Sequence, residues 1–185
     1  MGFLDDEHAT GDLVMGVPVL GGTQLIDDAS RIAHGDCEWV VGIGDNIARE
    51  SFQERIRASG RIVSTAIHPA ASVAASARIG NGVYLGAFVR VQPECEISDG
   101  VLIEAGSCVG EGVRLGRYAR TGPNVSLLGG AVLEDRSFVG AGAVVDEKQT
   151  LSRDARLAAL SVLRGPSKPG CLYAGAPATE KKGRS

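Results

Sequence analysis

Aromatic residues make up only 4% of the chain, histidine occurs three times, and no run of about eighteen apolar residues exists. Each shortage excludes something. Without a long apolar run, no membrane-spanning helix is predicted. The formal net charge is −3, so the basic patch that nucleic acid requires is not expected. No histidine follows His68, which excludes a cluster of zinc-binding histidines. The four cysteines (Cys37, Cys95, Cys108 and Cys171) show no metal or redox spacing. They read as reduced thiols of a cytoplasmic protein that binds no metal, with Cys95 a small core residue. The opening segment, MGFLDDEHATGD, is too acidic for a signal peptide.

What is present is a repeat. Steps of six from Val73 give Ile79, Leu85, Val91, Ile97, Ile103, Val109, Leu115, Thr121, Leu127, Leu133, Val139, Val145 and Leu151. Thr121 alone is not Val, Ile or Leu. This period is neither helical nor a plain strand alternation. It suits a three-sided coil of about eighteen residues, each side a short strand, stacked into a parallel β-solenoid. Stacking joins the aliphatic residues into one column that a single coil could not bury. Four residues after each column position sit small or β-branched residues such as Ala77, Val83, Cys95, Ser107 and Ala119, which also face inward. Glycine directly follows the column residue at Gly86, Gly110 and Gly122, and follows three later at Gly82, Gly100 and Gly106, where tight corners are predicted.

Residues 1–66 fall outside the hexad. Gly2 to Asp6 reads as a strand end and turn, Val14 to Leu20 as a strand pair around Gly16, and Glu38 to Ile43 as a buried strand. Asp45 or Asn46 caps a helix whose Ile47, Phe52 and Ile56 form an apolar face and which ends near Ser59-Gly60. Arg61 to Ile67 is a further strand. Together these form a partial α/β unit with parallel strands. The solenoid is placed at 67–151. Arg153 to Leu163 has helical composition, with Leu157, Leu160 and Leu163 three apart and Pro166 and Pro169 as stops. Residues 152–185 are therefore predicted as a C-terminal helix and a solvated basic tail around Lys181, Lys182 and Arg184. His8 and His34 fall in loops, and His68 reads as structural.

The solenoid with the terminal segment Leu172-Tyr173-Ala174-Gly175-Ala176-Pro177-Ala178 resembles the hexapeptide acyltransferases. Gly2-Phe3-Leu4-Asp5-Asp6, Gly16 to Gly21, Ile43-Gly44-Asp45-Asn46 with Arg49, and Ile67-His68-Pro69 narrow the resemblance to the NeuD/PglD type of sugar O- and N-acetyltransferases. The resemblance implies a left-handed parallel β-helix, a homotrimer, acetyl-CoA between neighbouring solenoids, and an N-terminal domain that holds a nucleotide sugar. It also implies a strand and Gly-rich turn before Gly2, absent from this sequence, and a shorter segment than Asp146 to Lys168. The histidine-rich hexapeptide carbonic anhydrases do not fit, because only His68 is at hand.

The family's catalytic histidine corresponds to Glu111, within Ala105 to Gly116, and a second histidine near acetyl-CoA corresponds to Arg120. Acetyl transfer from a thioester needs a base and donors for the oxyanion. Histidine titrates near working pH, whereas a carboxylate is the weaker base unless burial raises its pKa. Glu111 is thus either a desolvated base or an ordinary corner residue. By resemblance Arg120, Gly129, Ala141 and Gly175 contact acetyl-CoA, although a surface arginine also accounts for Arg120. Asp5, Asp6, Asp45, Asn46 and Arg49 are candidate nucleotide-sugar contacts, and turn or cap roles explain them equally. Two functions remain open: an acetyl-CoA-dependent transferase acting on a sugar amine or hydroxyl, or an impaired trimeric solenoid that binds CoA or nucleotide sugar without turnover.

Overall fold

The computed structural model describes residues 1–27 and 37–181, so His34 and tail residues 182–185 lie outside the described residues. From Ala66–Ile67 to Val162–Leu163 the chain forms seventeen two-residue strands in three parallel sheets. Each strand pairs with the third one after it, so Ser72 opposes Arg90, Arg90 opposes Cys108, and Cys108 opposes Ser126. This is the stacked three-sided coil that the hexad predicts. Three columns fill it: one runs through Val91, Val109, Leu127, Val145 and Leu163, all buried.

Glycines three residues past the column take positive φ, as at Gly106 (73°) and Gly142 (64°), and Asn124 takes 56° in the same phase. Those directly after the column do something else. A Cβ on Gly86 would lie 2.7 Å from the Ala105 nitrogen of the next coil, so their absent side chain permits close stacking.

Residues 153–163 are not helical. They add strands Arg156–Leu157 and Val162–Leu163, and the column continues through Leu157 and Leu163, which remain six apart. Leu160 sits between them on a corner, 80% exposed with φ 57°. Spacing by three therefore came from two column residues and a corner. The stretch from Asp146 to Lys168 is mostly further solenoid. Hairpin Leu172–Gly175/Ala178–Lys181 then closes the coil, with Tyr173 stacked beside Leu157 and its hydroxyl accepting from Lys168 N (2.8 Å). The hairpin thereby covers the edge of the sheet that ends at Arg156–Leu157.

The N-terminal unit holds a small sheet in which Phe3–Leu4 is parallel to Val17–Gly21 and Leu13–Val14 antiparallel to it. Glu38 to Ile43 does not form the expected strand: only Trp39 bridges to Val63, and Val40 is exposed. Among the described residues no second strand borders that segment, so the ladder stops at one bridge.

Helix α1 (Asn46–Ala58) is capped by Asp45, whose carboxylate accepts from Ile47 N and Ala48 N. Phe52 and Ile56 pack with Ile26, Val63 and Leu4, whereas Ile47 is exposed rather than part of that face. The adjoining polar face lies on the solenoid. Gln53 Nε2 donates to Gly82 O (2.9 Å), Arg49 Nε to Gly100 O (2.8 Å), Arg49 Nη2 to Tyr118 O (2.7 Å) and Asn46 Nδ2 to Arg136 O (2.8 Å). Glu54 accepts from Tyr118 OH (2.7 Å), Arg117 Nη2 (2.9 Å) and Arg57 Nη1 (3.1 Å). Glu50 and Asp154 both pair with Arg136.

Thr121 lies between Ile103 and Val139 in the column, its hydroxyl buried with no partner. Thr121→Val removes that orphan at nearly equal volume and is expected to stabilise the protein by roughly 1 kcal/mol. Thermal denaturation should show Tm raised by about 2–4 °C. The second prediction concerns pH. The hydrogen bond from Tyr118, with Arg57 and Arg117 beside it, holds the Glu54 carboxyl below its ordinary pKa. The stabilisation is complete above the ordinary carboxylate range and is lost as pH falls through the lowered value. Glu54→Gln should therefore show a smaller fall in Tm than the native chain between pH 6 and about pH 3.

Candidate functional site

A cleft of about 190 Å³ opens where the start of α1 meets the solenoid. Its walls are Gly44 to Ile47 on one side and Arg120, Arg136, Phe138, Asp154 and Arg156 on the other. Arg120, Phe138 and Arg156 stand one residue before the column in three successive coils, so they project outward in a ladder. Both guanidiniums lie over the Phe138 ring, at 5.3 and 5.4 Å from its centroid. Arg120 Nη1 donates to Gly44 O (2.9 Å), and Nη2 lies 3.4 Å from Glu104 Oε1. A Cβ on Gly44 would meet Arg120 Nη1 at 2.8 Å, so glycine there admits the arginine. A larger concavity of about 390 Å³ lies on another face, lined by Glu96, Arg114, Glu134, Asp135 and Arg153.

The residues expected to grip a nucleotide sugar all make hydrogen bonds within the chain. Asp5 accepts from Glu7 N (2.7 Å) and His8 N (3.3 Å), which with the nearby His8 ring lowers its pKa. Asp6 accepts from Thr23 N and Oγ1, both at 2.7 Å, and its pKa falls for that reason. Asp45 is the helix cap. Asn46 reaches Arg136 O and also accepts from Arg49 Nη2 (3.0 Å). Arg49 is 1% exposed, and its donors also reach Ile43 O and Gly44 O. Burial, then the nearby Arg120 charge, push its pKa down to about 10. Arg49 remains a cation at neutral pH and clamps the start of α1 to the solenoid. His68 Nδ1 accepts from Ala70 N (3.0 Å), a local turn.

The residues expected around acetyl-CoA are dispersed in one chain. Glu111 is exposed on the corner Gly110 to Val113, and its carbonyl accepts from Gly130 N (2.9 Å), which places Gly129 directly beneath it. A Cβ on Gly129 would find only Glu111 O, at 3.7 Å, so this backbone is open to a ligand. Ala141 lies on a different corner, and its carbonyl accepts from Leu160 N (2.9 Å). Gly175 ends the first strand of the terminal hairpin, its N–H donating to Ser161 Oγ (3.0 Å). Arg120 belongs to the sheet opposite the Glu111 corner, since that corner joins the other two sheets. Glu111 and Arg120 therefore do not meet within a chain. Sequence reading missed Phe138, Arg136, Asp154 and Arg156. The available signal was the eighteen-residue spacing from Arg120 to Phe138 and Arg156.

Two family models match: the PglD N-terminal domain over residues 1–56 and the bacterial transferase hexapeptide (six repeats) over residues 76–111. No curated protein matches. The fold superposes with TM-score 0.93 and 31% identity on a histidine-to-asparagine mutant of perosamine N-acetyltransferase from Caulobacter crescentus, solved in complex with CoA and GDP-perosamine. That match covers 98% of this chain and 85% of the other. The acetyltransferase domain of PglB from Neisseria gonorrhoeae, in complex with acetyl coenzyme A, superposes with TM-score 0.90 at 29% identity, covering 97% of this chain and 85% of that one. By its N-terminal unit, its hexapeptide solenoid and these relatives, the chain belongs to the hexapeptide-repeat sugar acetyltransferases of the NeuD/PglD type.

Proposed function

We propose that this protein transfers the acetyl group of acetyl-CoA to the amine of a nucleotide-linked sugar. The observation that carries this reading is the match to perosamine N-acetyltransferase across 98% of the chain, solenoid and N-terminal unit together. The open backbone at Gly129 supports the donor's place, because a pantetheine chain needs bare backbone to run along. In the transfer, the amine nitrogen attacks the thioester carbonyl, a C–N bond forms, and the C–S bond breaks. The amine proton passes to a base, and the sulfur leaves as the CoA thiol after gaining a proton. Glu111 is our candidate for that base, and Arg120 is our candidate contact for the donor.

Because Glu111 and Arg120 lie on opposite sides of the solenoid, a second copy must supply one of them. A homotrimer meets this need. One outward ladder supports self-packing: Cys108, Ser126, Val144 and Val162 are uncharged and half-buried in the single chain. Acetyl-CoA as donor points to the cytoplasm. Among the described residues no helix is long and apolar enough to cross a membrane.

Two measurements test the proposal. Free thiol released from acetyl-CoA in the presence of GDP- and UDP-linked amino sugars reads turnover directly. With the acceptor that works, Glu111→Gln is expected to lower kcat by roughly 100-fold or more, with Tm unchanged. Unchanged turnover would remove Glu111 from the mechanism. Gly129→Val should leave the fold intact and weaken acetyl-CoA binding about tenfold in calorimetry, since its side chain enters the donor's path. Equal affinity would place the donor elsewhere.

A further inference from the structure

We infer that the Arg120–Phe138–Arg156 ladder is a phosphate subsite, formed by the solenoid for a diphosphate-bearing ligand. This deepens the proposed transferase reading and rests on it. The cations of the cleft differ in how far they are already paired. Arg136 is committed: its Nε and Nη2 lie 2.7 and 3.1 Å from the two Asp154 oxygens, and its Nη1 3.2 Å from Glu50. Arg49 is buried beneath the cleft with its donors on carbonyls. Arg156 differs. It is exposed, and among the described residues it touches the Phe138 ring and forms no ion pair. Arg120 is partly committed, with Nη1 on Gly44 O (2.9 Å) and Nη2 3.4 Å from Glu104 Oε1, and it keeps a buried Nε with no partner.

An arginine held against an aromatic face loses little conformational freedom on binding, because its plane is already fixed. Two such planes flank one ring, and the α1 N-terminus borders the same cleft. The helix dipole adds positive potential there. Of the nearby carboxylates, Asp45 caps the helix N–H groups, Glu50 and Asp154 pair with Arg136, and Glu104 lies against Arg120 Nη2 alone. The remaining demand fits phosphate oxygens, which arginine forks bind strongly. The N-terminal unit offers little competition, since Arg55 pairs with Asp27, Arg57 with Glu54, and Arg61 stacks on Trp39. A nucleotide sugar and CoA both carry a diphosphate, so the shared chemistry is what the geometry selects.

Calorimetric titration of the full chain with UDP, GDP, CoA and dephospho-CoA, at two salt concentrations, distinguishes the sources. Arg156→Gln is expected to weaken binding of one class about tenfold and to flatten its salt dependence, with Tm unchanged. Selective loss for UDP or GDP assigns the ladder to the nucleotide sugar, and selective loss for CoA and dephospho-CoA assigns it to the donor. Arg114→Gln removes an exposed arginine on a different sheet and should change neither. Equal affinities for native chain and Arg156→Gln overturn the inference, as does absence of binding by any of the four to the native chain. Nucleotide binding that depends on Arg156, without acetyl transfer to any amino sugar, would instead keep the subsite and remove the transferase reading.

Discussion

Carbonyls at the corners of the solenoid are what helix α1 reads. A coil of this kind satisfies its strand ladder internally but leaves corner oxygens facing outward, and buried ones need donors. Gly82, Gly100, Tyr118 and Arg136 occupy equivalent corners eighteen residues apart. Gln53, Arg49 and Asn46 lie one helical turn apart and supply those donors in order. The helix advances about 5.4 Å per turn and the coils about 4.8 Å, so one row can follow the other for a few turns. Long side chains absorb the difference, and Arg49 bridges two coils. The N-terminal unit therefore sits on the solenoid by a polar match, while its apolar residues face its own sheet.

This match fixes the cleft. Gly44 is held between Arg49 and Arg120, so the start of α1 can lie only where those arginines put it. Gly100 takes part from below: its φ is 69°, and a Cβ there would collide with the Tyr118 ring. Tyr118 is in turn a non-glycine corner with φ 58°, buried beneath α1 and joined to Glu54. The cleft thus depends on backbone positions several coils long, and the corner at Glu111 lies on the far side. The three-sided coil itself keeps Glu111 and Arg120 apart within one chain.

The solenoid was legible because its period is set by geometry. One column residue and one smaller residue in every six must enter the core, and the coil has no other way to bury them. Thr121 broke the pattern in sequence and, with Ser137, carries a buried hydroxyl without a partner among the described residues. Leu157, Leu160 and Leu163 were misread as helical because a local spacing of three was weighed above their place in the hexad. The site was less legible. Asp45, Asn46 and Arg49 form a short polar motif beside a helix start, and such residues cap and clamp as readily as they bind ligands. Arg120, Phe138 and Arg156 are eighteen residues apart, so only the stacked coil reveals them as neighbours. Glu111 looks the same in sequence whether it is a solvated corner or a base at a shared interface.

The claim that side chains of α1 hold the N-terminal unit through solenoid carbonyls is tested most directly by amide hydrogen exchange on Arg49→Met. The account predicts that amides within α1 lose protection, while strands from Leu102–Ile103 to Val144–Val145 exchange as slowly as in the native chain. Native-like protection of α1 in that variant would contradict it.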